Sequence, residues 1–568
     1  MRKTSLPSNS WKYLGACLAL ASSLLAASAA QAQQTQRPMS APQPAQDIRV
    51  TTGAARPTET PTLDMKDDAV QLSLSQAVEI AMQQNLGIVI ERYTRTQQRL
   101  RIIQNLGIYD LNAAATLSAS DNQQAVVSTT DAGSSNGQAF NFSFVQRVPT
   151  GGDVSFGWTN SRTESNAGVR STPTSFDSEY TFSYDQPLLR NFGRLANERN
   201  LVIAQTNSRI SAQDFERVVT TTVQDVENAY WNLVNAREQL VVAQQSLALA
   251  RELNDRNRIQ VEVGTMAPLE LVQSEAAIAT RDEDIIRATS AIGDAEDELR
   301  RLLNLPTDAG LWEKPIVPTT PPETERIAVD VDAAIATALA ERPELRTQEF
   351  QLAQARLDAE FFRGQLKPDL DLHVDYGYNG TGLGYNDAFN QVTGLDFRGW
   401  TVRLQFNYPI QNRAARAQSA IANLDFDRVQ TRFDQQQQLV STEVRRAARA
   451  VETAAKQIDA ARISLDFQNK NLEAERKRYE NGMSTSFQIT QIQDDLTQAR
   501  SREVQATINY RTALAEYYRS IGRLLEQQGI AVDDPAEPDW ASSRFKLRRE
   551  PMPGEGRPVE GLPGEGNR

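Results

Sequence analysis

The side chains that usually carry catalysis are few and scattered in this chain, which has one histidine, His373, and one cysteine, Cys17. A hydrolytic or zinc site needs nucleophile, base and ligand residues gathered at matching spacing. His373 stands alone and no carboxylate pair has metal-ligand spacing, so the sequence predicts no metal, no cofactor and no enzyme. Gly380-Thr381-Gly382-Leu383-Gly384 has the glycine density of a phosphate cradle. A cradle needs a strand before it and a helix after it; the pattern shows the strand and no helix, and the segment reads as a loop. What remains is polarity arranged in space: extended segments whose alternate residues differ in character, and small or polar residues where long helices turn back.

Two kinds of element must position these residues. Leu370, Leu372, Val374, Tyr376 and Tyr378 alternate with Asp371, His373, Asp375 and Gly377, and Trp400, Val402, Leu404, Phe406 and Tyr408 alternate with Thr401, Arg403, Gln405 and Asn407. A period of two is a strand with unlike faces. Phe140, Phe142 and Phe144, then Val154, Phe156 and Trp158 after the turn Pro149-Thr150-Gly151-Gly152, then Tyr180, Phe182 and Tyr184, show the same pattern. Aromatic residues on one face and Asp, Arg, His and Asn on the other suit a wall between hydrocarbon and water, with every backbone group paired around a closed ring. His373 is then a strand residue on the watery side. A soluble sheet packed on a core is the alternative, but the flanking helices use their apolar rows on one another. Beyond the N-terminal leader no apolar run approaches the roughly 18 residues that a spanning helix needs, so strands must make any crossing. Two strands from each half cannot close a barrel, since small barrels need about eight; the chain must oligomerise. The loops Gly380 to Arg398 and Asp121 to Gln138 then face outward and the helices lie on the other side.

The helices carry a seven-residue hydrophobic row: Val219, Val226, Leu233, Leu240 and Leu247, and again Val444, Val451, Ile458, Leu465, Leu472 and Tyr479. That period predicts left-handed coiled-coil packing. Leu195 to Val263 lacks proline, and about 69 residues rising 1.5 Å each make a rod of roughly 100 Å. The rods reverse at Val263-Gly264-Thr265-Met266-Ala267-Pro268 and at Asn481-Gly482-Met483-Ser484-Thr485-Ser486. Gly264 and Gly482 suit the left-handed position after a helix, and Pro268 the first turn of the next. Thr485 with Gln488 fits a capping box. The returning helices are Leu269 to Leu303 and Phe487 to Leu525. A shift of about 218 positions pairs Gly264 with Gly482, Val226 with Val444 and Leu247 with Leu465, the mark of an internal duplication. Each half opens with a shorter helical segment, Leu74, Ala77, Val78, Ala81 and Met82 corresponding to Val331, Ala334, Ile335, Ala338 and Leu339.

Arg2, Lys3 and Lys12 precede an apolar stretch from Leu14 to Leu25 and the small-residue run Ala30-Gln31-Ala32, the pattern of a cleaved export signal. Leu14-Gly15-Ala16-Cys17 faintly resembles a lipidation box, but the greasy run follows Cys17 instead of preceding it. Removal of the leader takes away the one thiol, so packing and assembly must hold the fold. The formal net charge is −12, and Lys and Arg are scattered among Asp and Glu, which argues against nucleic acid as a partner. The chain is expected to divide into a signal peptide (1–32), a flexible segment (33–70), two repeats (71–305 and 326–530) joined by a proline-rich connector (306–325), and a disordered tail (531–568).

The duplicated helix-strand-strand-helix halves, Gln186-Pro187-Leu188-Leu189 after the last strand of the first half, and Val263-Gly264 followed by Leu269-Glu270-Leu271 resemble the TolC outer-membrane efflux family, over roughly Leu72 to Leu525. Their order and duplication carry the resemblance. It implies a mainly α fold with a transmembrane β-barrel part: a coiled-coil α-barrel tunnel of twelve helices continuous with an oligomeric twelve-stranded barrel, built by a homotrimer. It also implies the outer membrane as location, with the helical part in the periplasm, and a role as exit duct of a tripartite efflux or type I secretion system, fed by an inner-membrane transporter through a periplasmic adaptor protein. The hairpin 139–160 exceeds the family's strand count and either forms an added ribbon or enlarges the barrel. The rival reading is a periplasmic coiled-coil scaffold without a pore, which gives no reason for the alternating strands.

By the same resemblance the closed periplasmic tip carries the gate. The family's ring aspartates fall on Gln488 and Gln491, its arginine on Ser484, its tyrosine on Tyr479 and the first-half partner on Glu270; Asp494 and Asp495, about a turn deeper, are the available substitutes. With Gln and Ser there, the sequence departs from the family's cation-selective constriction and ionic lock. Simpler roles stand beside these: Glu270 and Gln488 occupy the third position of capped helices, and Tyr479 continues the hydrophobic row. The exposed turns, Gly264, Thr265, Met266 and Pro268 with Gly482, Met483 and Ser484, are the expected adaptor-docking tips.

Overall fold

The computed structural model describes residues 64–66, 69–123, 125, 134–165, 174–305 and 312–531. All belong to the compact unit Arg56–Arg568. The expected signal peptide, most of the segment 33–70 and nearly all of the tail lie outside the described residues.

The first half opens on β1 (Asp64–Lys66), β2 (Ala69–Leu72), α1 (Leu74–Gln84) and α2 (Leu86–Leu106). Ser73 forms a complete capping box with Gln76: its hydroxyl accepts from the Gln76 amide at 3.2 Å, and the Gln76 side chain accepts from the Ser73 amide at 2.9 Å. Four strands follow, β3 (Asn112–Gln123), β4 (Ser134–Arg147), β5 (Asp153–Ser165) and β6 (Thr174–Pro187), then the rods α3 (Arg199–Glu262) and α4 (Pro268–Leu303). The second half runs β7 (Ile316–Pro318), α5 (Val331–Glu341), α6 (Pro343–Gly364), β8 (Asp369–Gly382), α7 (Tyr385–Thr393), β9 (Phe397–Asn407), α8 (Arg413–Glu480) and α9 (Ser486–Ser520). The α3 rod has 64 residues and α8 has 68, so each is about 100 Å long at 1.5 Å per residue.

Both hydrophobic rows are the core of these rods. Val219, Val226 and Leu233 of α3 pack with Tyr230 and Trp231 against Ala77, Val78 and Ala81 of α1, Val70 and Leu72 of β2, and Ile316 of β7. Val444, Val451 and Ile458 of α8 pack against Ala338 of α5, Leu345 of α6 and Tyr510 of α9. A third, smaller core of Leu253, Leu472, Tyr479, Ile489 and Leu496 lies at the reversal end. Repeats at seven residues bury the same helix face turn after turn, as coiled-coil packing requires.

Three expectations need correcting. The segment 33–70 contains β1 and the start of β2, and the connector 306–325 contains β7; β2 pairs antiparallel with β1 and parallel with β7 (Val70↔Ile316, Leu72↔Pro318). The Tyr230 hydroxyl accepts from the Thr320 amide at 2.9 Å and the Tyr510 hydroxyl donates to the Glu325 carbonyl at 2.6 Å, so buried polar groups hold the connector against the rods. The loop Asp121 to Gln138 begins and ends inside β3 and β4, and the loop Gly380 to Arg398 contains α7. Lastly, the first half contains a further strand, β3, beyond its three alternating segments, and all six long strands form one sheet in the order β3-β4-β5-β6-β8-β9, antiparallel throughout. β3 gave no alternating signal because alanines at 113 and 115 stand where the other strands carry aromatics.

Candidate functional site

The register places the alternating residues in two unlike faces. One row crosses the sheet as Ala113, Phe144, Phe156, Phe182, Tyr376 and Trp400, and the next as Ala115, Phe142, Trp158, Tyr180, Tyr378 and Arg398. On the opposite face Asn112, Val145, Ser155, Ser183, Asp375 and Thr401 form one row. Aromatic rings touch along the apolar face: Phe142 with Phe144 at 4.7 Å, Phe156 with Phe182 at 4.9 Å, Trp158 with Tyr180 at 5.9 Å. His373 lies on the polar face between Asp185, which its Nδ1 meets, and Asp375, 2.6 Å from its Nε2.

The helix α7 lies against the apolar face. Phe389 meets Trp158 at 6.1 Å and stacks on Tyr385 at 5.7 Å, while a Cβ at Gly380 would come within 2.2 Å of the Ala388 carbonyl oxygen. Gly380-Thr381-Gly382 is therefore followed by a helix after all; its glycines let that helix approach the strand, and no phosphate cradle is needed to explain them.

At the far end the rods turn as expected. Gly264 and Gly482 have φ of +80° and +69°, the left-handed conformation that glycine adopts without a Cβ clash, and Pro268 opens α4. Thr485 caps α9 by accepting from the Gln488 amide at 3.3 Å, but the Gln488 side chain turns to the Ser484 hydroxyl at 3.0 Å, so only half of the expected box forms. Among the tip residues Gly264, Thr265, Pro268, Gly482 and Met483 are exposed, Ser484 is half-buried, and Met266 packs on the small core. Val263, Leu269, Met483 and Phe487 leave large apolar surface open around the turns.

The gate candidates separate into groups. Tyr479 is buried and its hydroxyl donates to Asn257 Oδ1 at 2.5 Å, while Asn257 Nδ2 donates to Ser486 Oγ at 2.8 Å. One buried tyrosine, with one fully buried asparagine, thus joins α8, α3 and α9. Burial, followed by the nearby Glu270 carboxylate, pushes the Tyr479 hydroxyl above its ordinary pKa, and Arg256 opposes this. One Glu270 oxygen is buried with no hydrogen-bond partner. Gln488 and Gln491 are exposed on one face of α9, with half-buried Asp495 a turn further on. Asp494 turns the other way, into an ion pair with Arg281 of α4.

Several residues here escaped the sequence reading. Asn254 accepts from the Ser274 hydroxyl at 2.8 Å, and Arg256 bridges Glu480 at 3.1 Å and Glu252 at 2.7 Å, with Arg476 reaching Glu252 at 2.9 Å. A signal for Asn254 was present: it stands seven residues beyond Leu247, a polar side chain in the hydrophobic row, the device by which coiled coils fix register. Among the described residues no helix is long and apolar enough to cross a membrane, and no group of three or more His, Cys, Asp or Glu could hold a metal ion.

Comparison with known proteins matches residues 150–305 and 334–523 to the family of outer membrane efflux proteins. The pyoverdine export outer membrane protein OpmQ of Pseudomonas putida is 23% identical over 357 residues, 62% of this chain and 71% of that protein. Among solved structures, the outer membrane channel CmeC of Campylobacter jejuni superposes with a TM-score of 0.60 at 15% identity, covering 79% of this chain and 86% of its own. The open state of the MtrE outer membrane channel of Neisseria gonorrhoeae gives a TM-score of 0.58 at 17% identity, over 79% and 89%.

Proposed function

Because this chain belongs to the outer membrane efflux protein family, we propose that three copies of it close into one duct, which receives cargo from an inner-membrane transporter through a periplasmic adaptor protein, in a tripartite efflux or type I secretion system. The strands sit in the outer membrane and the helices reach into the periplasm.

The observation that carries the trimer is a single sheet with one largely apolar, aromatic face and two open edges. Neither β3 nor β9 has a second partner strand among the described residues, and unpaired backbone groups in hydrocarbon cost several kcal/mol each. Sibling copies supply the missing strands. They also cover the exposed apolar residues of the rods, Leu269, Val272 and Ile286 on α4 and Leu424, Ile463 and Phe467 on α8.

The gate in this reading is held by a neutral hydrogen-bonded cluster with one ion pair beside it. Tyr479 with Asn257 and Ser486 holds α8 and α9 against α3, Arg281 with Asp494 clasps α4 to α9, and Glu270 lies beside the tyrosine. Gln488, Gln491 and Asp495 share the α9 face that looks into the entrance, so this entrance carries less negative charge than a ring of aspartates. The exposed turns at Gly264 and Gly482 dock the adaptor through Met483 and their apolar neighbours.

Membrane fractionation followed by planar-bilayer recording tests the proposal. The expected outcome is a protein that needs detergent for extraction and forms discrete conducting channels. A scaffold without a pore would extract in salt and pass no current.

A further inference from the structure

We propose that the β4–β5 hairpin is part of the channel wall, so that three copies close an eighteen-stranded barrel whose width matches the helical tunnel beneath it. The inference rests on the trimeric channel proposed above and fixes the architecture of its membrane part.

Three observations place the hairpin in the wall. Its pairing is continuous on both sides, from Asn112↔Val145 to Gln123↔Ser134 with β3, and from Asp153↔Asp185 to Glu164↔Thr174 with β6. A ribbon folded away from the barrel would leave one of those ladders unmade. Its side chains also keep the faces of the sheet: Phe142, Phe144, Phe156 and Trp158 continue the apolar rows of β6, β8 and β9. A one-residue slip would turn every one of them into the lumen. Finally, the turn between β4 and β5 is fastened at the level where strands become helices. The Thr150 carbonyl accepts from the Gly193 amide at 2.9 Å and from Gln186 Nε2 at 3.2 Å, and a Cβ at Gly151 (φ +95°) would come within 2.2 Å of Asn197 Nδ2. The hairpin thus starts where its neighbours start and runs beside them.

The edges are suited to each other. Six strands alternating in direction leave β3 and β9 antiparallel, and they are 12 and 11 residues long. The β9 edge of one copy can therefore add to the β3 edge of the next in the pattern of the rest of the sheet.

The width follows from spacing. Strands about 4.8 Å apart and tilted about 35–45° give eighteen of them a backbone diameter of roughly 34–39 Å, and twelve only about 22–26 Å. Four helices per chain, α2, α3, α6 and α8, meet the ends of the strands. Twelve helices packed about 8–10 Å apart form a ring of roughly 31–38 Å. With the hairpin in the wall, barrel and tunnel meet at nearly equal diameter at this ordinary tilt. The membrane part then does not narrow the path, and selection by size falls to the periplasmic tip.

Engineered disulfides in the full-length protein, assembled in outer membranes, test this. The Thr116→Cys/Asn141→Cys pair faces across β3 and β4 and should close within one chain. Thr116→Cys/Thr181→Cys is separated by three strand spacings, about 14 Å, and by a further two-residue stagger along the strand, too far for a disulfide, and should stay reduced. Ser118→Cys in β3, combined in turn with Thr401→Cys, Arg403→Cys or Gln405→Cys in β9, should give a covalent ladder ending at three chains. If Thr116→Cys/Thr181→Cys closes instead while the ladder still ends at three, β3 lies directly beside β6; the eighteen-stranded wall is then wrong and the trimeric channel stands. If no ladder forms and bilayers show no current, the trimeric channel itself fails.

Discussion

Replacement of Tyr479 by Phe isolates the hydrogen bond at the centre of the proposed gate. The ring stays in its core with Leu253, Leu472, Ile489 and Leu496, and only the hydroxyl is lost. Asn257 is fully buried, and its Oδ1 would lose the donor now 2.5 Å away, while its Nδ2 keeps Ser486. A buried acceptor left without its donor costs about 1–3 kcal/mol, paid by the conformation that encloses it. If α8 and α9 leave α3 when the proposed gate opens, the equilibrium between resting and open tips should shift toward open by about 5- to 150-fold. Single-channel recording should show a correspondingly higher open probability, with the proposed trimer as stable in detergent as the parent's. An open probability within twofold of the parent's would refute the assignment. The same bond sets a pH response. The Tyr479 pKa is raised in the fold, first by burial and then by Glu270, so its contribution is complete below the ordinary value of 10.0 and is lost only as pH rises through the higher folded value. The parent's resting state should hold throughout neutral and mildly alkaline pH.

Gly482→Trp adds a large group where nothing lies within 4 Å of the new Cβ and φ is +69°, so the strain of about 1–2 kcal/mol should leave the proposed trimer intact while export through the proposed adaptor falls; export at the parent rate would reject the docking role. Burial pushes the Glu227 carboxyl above its ordinary value of 4.5, with Arg511, Trp231 and Gln528 opposing. The folded state thus binds that proton more tightly and loses stability as pH rises from the ordinary to the raised value. Glu227→Gln should flatten that part of the Tm-against-pH curve, and an unchanged curve would place the effect elsewhere. Gly380→Val should lift α7 from the strand, because its Cβ would meet the Ala388 carbonyl; limited proteolysis should then cut the segment 383–396 faster, and parent-like protection would show that the close approach is unimportant.

Periodicity settled much of this protein before any coordinate. The row Val219 to Leu247 and its copy Val444 to Tyr479 set two rods and their packing faces, Gly264 and Gly482 set where the rods turn, and the alternation in β4, β5, β6, β8 and β9 set which face meets lipid, because each signal is local to one element. Pairing between elements is not local. Only the fold brought Asn257 to Tyr479 across 222 positions and Arg281 to Asp494, turned the adjacent Asp494 and Asp495 to different surroundings, and laid α7 on Gly380. It also found β3, whose alanines carry no alternating signal and whose place is set by the register of β4 beside it. The strand count of the wall belongs to the same class of fact. Sequence shows that a hairpin can be a strand pair, but whether it joins a barrel depends on which backbone edges it satisfies, and those edges come from segments far along the chain.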